Sequence, residues 1–306
     1  MSLPPEMEWA IMNEFKTYHP IVNFLYFVLV IGFSMFLMHP ICLSISLGCS
    51  FSYSILLKGK CAIWKSLSYM LPMLLIMALM NPAFSHEGIT ILGYFPSGNP
   101  LTLESAVYGL ASGVMLVSVL CWFSCYNMVM TSDKFIYLFG KLIPALSLIL
   151  SMTLRFVPTF ASQLRTVSHA QRCMGRDITR GTLLQRAKHG LTILSIMITW
   201  SLEHAIETAD SMKARGYGLS GRTAFSIFVF DRRDKITFLC LLTLGIYVLT
   251  GSLLGGLSYR YFPSMASTPC SVYSCSLFAA YLLLCSMPII IEVREVRKWN
   301  SIKSKI

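Results

Sequence analysis

The sequence predicts an all-α, polytopic membrane protein of about six transmembrane helices, with a pair of long helices on the cytoplasmic side. Three observations predict it. Hydrophobic residues make up 55% of the 306 residues and charged ones 13%, with a mean hydropathy of +0.63, whereas a soluble domain is roughly 25% charged. Several apolar runs approach the ~20 residues that carry a helix across a ~30 Å hydrocarbon core. One stretch, 155–218, has apolar residues at helical spacing, yet over 155–190 it holds too many Arg and Lys for a lipid-exposed span.

The first residues carry Glu6, Glu8 and Glu14 with no basic region ahead of an apolar core. No cleavable signal peptide is expected, and the first span should stay in the protein. His19-Pro20 marks the helix boundary before the first run, 21–38, and His39-Pro40 divides it from the second, 41–57. Both histidines read as turn or interface residues. Lys58-Gly59-Lys60 reads as a short loop, and the third run, 67–80, ends at Asn81-Pro82. From there to Leu103 the chain is rich in Gly, Pro, Ser and Asn, an outer loop in which His86 and Glu87 form a solvated pair. The fourth run, 105–130, closes at Thr131-Ser132-Asp133-Lys134; a shorter one, 142–154, feeds the basic stretch, and 236–257 and 274–291 are the last two.

Cytoplasmic loops retain Lys and Arg. With the N-terminus inside, Lys58, Lys60, Lys65, Lys134, Lys141, the segment 155–235 and the tail 294–305 all fall on the cytoplasmic side, leaving Arg260 outside. Both termini are therefore expected in the cytoplasm. The net charge of +11 is mostly a topology signal, and no basic soluble module points to nucleic acid. The bilayer is the first partner. The chain divides into an N-terminal membrane region, 1–154, an interfacial region, 155–235, and a C-terminal membrane region with a basic tail, 236–306.

Of the ten cysteines, Cys42, Cys49, Cys61, Cys121, Cys125, Cys240 and Cys285 lie in or beside spans, where a thiol behaves as a small apolar side chain. Cys270 and Cys275 are the one candidate pair for an oxidising exterior. Cys121 and Cys125 lie a turn apart without His or carboxylate on their span, which favours packing over a metal. No catalytic motif is present: no phosphate-binding loop, no His-Glu-x-x-His, no Gly-x-Ser-x-Gly, and no carboxylate at the centre of a span. Neither catalysis nor a cofactor is expected. The runner-up reading is a self-contained carrier or channel, for which the spans offer scattered Ser, Thr and Asn.

The basic stretch carries the functional signal. Phe156, Phe160, Leu164 and Val167 step along one helix, with Pro158 near its beginning, and Leu202, Ala205, Ile206, Ala209 and Met212 step along another. Each ends in a basic knot: Gln171-Arg172-Cys173-Met174-Gly175-Arg176, and Met212-Lys213-Ala214-Arg215-Gly216-Tyr217-Gly218. Glycine supplies the left-handed stop, and cations suit the last turn. Ordinary capping is the bland alternative for either tip alone. The run 191–202 is intensely apolar but too short to cross, which makes Leu191, Leu194, Met197, Ile198 and Leu202 a docking surface or a packed core.

These residues resemble the transmembrane T component of energy-coupling factor (ECF) vitamin and metal transporters, the EcfT family, which includes the cobalt-system CbiQ proteins. The likeness is strongest over 142–223, in Thr153-Leu154-Arg155-Phe156-Val157-Pro158, in Ala170-Gln171-Arg172 and in the segment 203–218; Asn81 to Gly88 resembles the family's Asn-Pro loop. The resemblance implies two coupling helices whose Ala-Arg-Gly-like ends enter grooves on two ABC-type ATPases, and a small S component that binds the substrate. The second motif carries over to Ala214, Arg215 and Gly216. The first reads Cys173, Met174, Gly175, with Met in place of the central Arg, so that Arg172 or Arg176 would supply the charge. The S component would meet the surface containing Leu191, Leu194, Met197, Ile198 and Leu202.

Overall fold

The computed structural model describes residues 14–85, 87–94, 100–140, 143–179, 181–219, 228–267 and 271–303; His86, Lys141 and Cys270 lie outside them. Two compact units are present, one gathering the chain up to 135 and from 228 onward, the other 136–227.

In the first unit, α1 (Glu14–Thr17) precedes α2 (Pro20–Phe36) and α3 (Pro40–Phe84). Both long helices start alike: His19 and His39 accept at Nδ1 from the backbone N–H two residues on, at 3.3 Å, with Pro in the first helical position. Proline is tolerated there because its missing N–H has no partner in the first turn. The expected loop at Lys58-Gly59-Lys60 is instead a break at one residue. Gly59 turns to φ 72° and the helix resumes, since a glycine without Cβ reverses the backbone locally at little cost. Likewise α3 does not stop at Asn81-Pro82 but runs to Phe84, where the Ser85 N–H donates to Asn81 O at 2.8 Å.

A two-stranded hairpin, β1 (Ile91–Tyr94) and β2 (Pro100–Thr102), leads into α4 (Leu103–Val129), and α5 (Ser132–Gly140) follows the break at Met130. The unit is completed by α8 (Arg232–Leu253), a short ribbon of β3 (Tyr259–Arg260) with β4 (Ala266–Ser267), and α9 (Val272–Lys303). Among the described residues, four segments are long and apolar enough to cross a membrane: Pro40–Gly59, Leu103–Val129, Arg232–Leu253 and Val272–Trp299. The other two expected spans fall on the shorter apolar helices Pro20–Phe36 and Met70–Phe84.

The core is aromatic and internally hydrogen-bonded. Phe15, Tyr26, Tyr53 and Trp122 are buried together. Trp122 Nε1 donates to Ser46 Oγ at 3.0 Å, Ser46 shares a 2.6 Å bond with Ser34, and Tyr26 Oη donates to Cys285 O at 3.0 Å. In hydrocarbon such groups have no water to bond, so they bond each other across helices. At the end of the bundle Arg233 lies over the Tyr18 ring at 4.9 Å and 3.6 Å from the Glu14 carboxylate, and buried Lys134 donates to Lys16 O, fixing the segment before α2.

The closest helix pair is α3 with α4. Gly109 and Gly113 share one face of α4, and an added Cβ would stand 3.0 Å from Ala78 O and 3.1 Å from Leu74 O respectively. Small residues four apart let two backbones approach. Beside them, Asn81 Nδ2 donates to Ser112 Oγ at 2.8 Å. The neighbours at both glycines are backbone carbonyls, which cannot rotate away. Gly113→Val should therefore cost about 1–3 kcal/mol, read as a lower unfolding midpoint in detergent, whereas Gly32→Val, at a glycine with open space around it, should leave the midpoint nearly unchanged.

Candidate functional site

The second unit is built on two helices, α6 (Pro144–Cys173) and α7 (Leu183–Ala214). The run 142–154 is not a separate element: its described part is the start of α6, so Pro158 sits in the middle of that helix and not near its beginning. The two helices meet through aromatic side chains. Phe156 stands edge-on to His204 and Phe160 edge-on to Trp200, both at 5.3 Å, and Trp200 stacks on His204 at 5.3 Å. Since 156 meets 204 while 160 meets 200, the helices run in opposite senses. Each C-terminal tip lies roughly 20 Å from the crossing, at opposite ends of the pair.

Both tips have the same backbone geometry. At the end of α6, Gly175 has φ 79°, its N–H donates to Arg172 O at 3.0 Å, and the Arg176 N–H donates to Gln171 O at 2.9 Å. At the end of α7, Gly216 has φ 76°, its N–H donates to Lys213 O at 2.9 Å, and the Tyr217 N–H donates to Met212 O at 3.0 Å. This pair of bonds is the Schellman motif, and glycine is favoured because a Cβ is strained at positive φ. The capping position is Met174 in one (φ −83°, ψ 8°) and Arg215 in the other (φ −83°, ψ 7°). Cys173, Met174 and Gly175 thus hold the same places as Ala214, Arg215 and Gly216.

The side chains differ. Met174 is exposed, so the first tip presents a thioether where the second presents a guanidinium. Arg172 is engaged within its own loop: its Nε donates to Asp177 Oδ2 at 2.9 Å. Among the described residues no ion pair joins Arg176, Lys213 or Arg215, and all three are exposed. Asp177 orders the loop between the helices by accepting from the Thr179 N–H at 2.9 Å, and Arg186 Nε donates to Ile178 O at 2.7 Å. The Thr179 bond, then the Arg172 bond, hold the Asp177 carboxyl down at about 2.

Apolar side chains of α7 fall on more than one face. Ile193 and Met197 are buried, whereas Leu191, Leu194, Ile198, Leu202 and Ile206, at three- and four-residue spacing, are all at least half exposed. Four of the five sequence-picked surface residues thus share one open stripe, and Met197 lies on the other face. The stripe expected from Leu202, Ala205, Ile206, Ala209 and Met212 is exposed from 202 to 209. Beside the crossing lies a cleft of about 690 Å³ lined by Arg155, Phe156, His204, Glu207, Ser211 and Arg215. The aromatic crossing and the Arg172–Asp177 pair were not anticipated; the signals for them were Trp200 at i−4 to His204 and the Asp-x-Thr of 177–179, whose carboxylate can bond the amide two residues on.

These elements define a polytopic helical membrane protein carrying an antiparallel pair of long helices with matched tips. The chain belongs to the CbiQ family, described as cobalt transport protein, whose family model matches residues 13–225. It is similar to energy-coupling factor transporter transmembrane proteins EcfT. That of Lactobacillus helveticus is 38% identical over 93 residues, 30% of this chain and 34% of the relative. That of Streptococcus thermophilus is 34% identical over 102 residues, covering 33% and 39%, and that of Acidaminococcus fermentans 32% identical over 155 residues, covering 47% and 58%. The matches thus span from 34% to 58% of the length of these relatives.

A carboxyl held down on folding contributes stability that is present above the unfolded value, near 3.8, and is lost as pH falls through about 2. Amide protection across 174–182, corrected for intrinsic exchange rates, should therefore stay constant from pH 7 to 4. Asp177→Asn should lower it at pH 7, with Thr179 the most affected amide.

Proposed function

We propose that this chain is the transmembrane scaffold of an ECF-type ABC importer in the cell membrane of a prokaryote. It transmits the ATP-driven motion of two ABC-type ATPase subunits to a small membrane-embedded S component that delivers a vitamin or metal ion. The observation that carries this reading is the pair of equivalent helix ends at opposite ends of one crossed pair, a two-pronged contact suited to two subunits of like architecture. The likeness to EcfT proteins supports the same reading.

On this reading Ala214, Arg215 and Gly216 dock in one ATPase and Cys173, Met174 and Gly175 in the other. The small residue before each capping position lets the tip approach closely, and the Arg215 guanidinium offers a rigid fork for a carboxylate. At the first tip Arg172 is held by Asp177, which leaves Arg176 as the cation and Met174 as an apolar knob. The open stripe of Leu191, Leu194, Ile198, Leu202 and Ile206 receives the S component, with Met197 packed behind it. The density of Lys and Arg in 155–235 supports a cytoplasmic position for the tips, and on this reading both termini are cytoplasmic as well. The chain contributes no catalytic group and needs no cofactor; ATP hydrolysis belongs to the partners.

A tagged chain taken from its native membrane in mild detergent should bring down two ABC-type ATPases. Arg215→Glu should reduce their recovery by at least tenfold, because a desolvated charge pair broken on one side costs about 2–5 kcal/mol. Arg172→Ala should have the smaller effect. Failure to recover any ATPase with the unmodified, folded chain would favour a carrier acting alone.

A further inference from the structure

We propose that the β1–β2 hairpin is a lipid anchor, its outward apolar side chains lying at the boundary between headgroups and acyl chains where α3 leaves the membrane. The inference does not depend on the coupling role. After the break at Gly59, α3 continues as helix to Phe84, and its part from Met70 onward is apolar. Its outward stripe, Leu71, Leu75 and Leu79, is more than half exposed. Apolar exposure does not end with the helix: Phe84 is 76% exposed, Ile89 68%, Ile91 50%, Leu92 57% and Tyr94 71%. Flanking groups that prefer the interface anchor the end of a span, and an aromatic ring with a hydroxyl, as in Tyr94, is one of them.

The hairpin is built to hold these side chains outward. Glu104 is buried and accepts from Thr90 Oγ1 at 2.7 Å and from the Thr90 N–H at 3.2 Å. Thr102 Oγ1 donates to Glu87 O at 3.0 Å, and the Leu103 N–H donates to Thr90 O at 3.0 Å. Gly88, at φ 150°, packs so closely that a Cβ would lie 2.6 Å from Glu104 Oε2. With its base tied to the start of α4, the strand cannot fold its apolar residues inward, and its pairing with β2 satisfies backbone groups that lipid would leave unbonded. The stretch 81–104 contains no Lys or Arg, so it offers an acidic protein partner no such cation, and its apolar side chains, with the exposed Glu87 beside them, continue the outward stripe of the helix.

The test places p-benzoylphenylalanine at Leu92 in the full chain, reconstituted in phosphatidylcholine–phosphatidylglycerol nanodiscs, with the same probe at Leu79 as the reference for lipid contact. Photoadducts are counted by mass spectrometry, and a probe at Tyr94 repeats the measurement should the Leu92 variant fold poorly. The expected lipid-adduct yield is within about fivefold of that at Leu79, since both sites would face lipid. A larger deficit with the Leu79 adduct intact overturns the proposal. So does a probe at Leu92 that, in native membranes, crosslinks to a protein in place of lipid.

Discussion

The second unit depends on the aromatic crossing of Phe156, Phe160, Trp200 and His204. Two rings from each helix, all at about 5.3 Å, fix the rotation of α7 about its own axis. Offset and edge-on ring pairs contribute on the order of 1 kcal/mol each beyond the area they bury. Once Trp200 and His204 face α6, the stripe of Leu191, Leu194, Ile198, Leu202 and Ile206 must lie elsewhere, and it is exposed. The same contacts set the helices in opposite senses and so send their tips to opposite ends. One packing choice thus decides both the open aliphatic face and the separation of the basic ends.

The two tips show how much a single position carries when the backbone is held constant. Paired hydrogen bonds and a left-handed glycine give Met174 and Arg215 the same φ and ψ within a degree. What each tip presents is then a matter of the capping side chain alone. At the second it is a guanidinium with no internal ion pair among the described residues. At the first it is an apolar thioether, while the neighbouring Arg172 is already bonded to Asp177. On the proposed reading the two ATPase grooves receive chemically different prongs of one shape: a guanidinium at the capping position of one, and a thioether with Arg176 beyond it at the other.

Much of this was legible in the chain. His-Pro at 19–20 and 39–40 marked two helix starts, because proline's constraints act locally; Gly175 and Gly216 marked two ends, because positive φ selects glycine. What was not legible is tertiary. Pro158 suggested a helix start, but α6 had already begun at Pro144 and passes through it. The apolar spacing from Leu202 to Met212 describes a face, yet periodicity does not say whether a face is covered by the same chain. The tight contact at Gly109 and Gly113 comes from the Ala78 and Leu74 carbonyls of another helix. Nor does the order of residues show that Asp177 takes Arg172 out of the set of free cations.

On the proposed reading, in which the two helices carry force, the position of Pro158 matters. A proline inside a helix lacks the N–H for the bond to the residue four before it and is the point at which a helix bends. In a 30-residue helix acting as an arm, such a point would ordinarily absorb motion instead of passing it on. Here it falls between Phe156 and Phe160, the two residues that contact His204 and Trp200. The weakest place in α6 is therefore braced by the crossing itself, and the arm from Thr159 to Cys173 runs to its tip without another proline. A displacement applied at Met174 then reaches the crossing through unbroken helix, and any bending at Pro158 is resisted by rings anchored on α7.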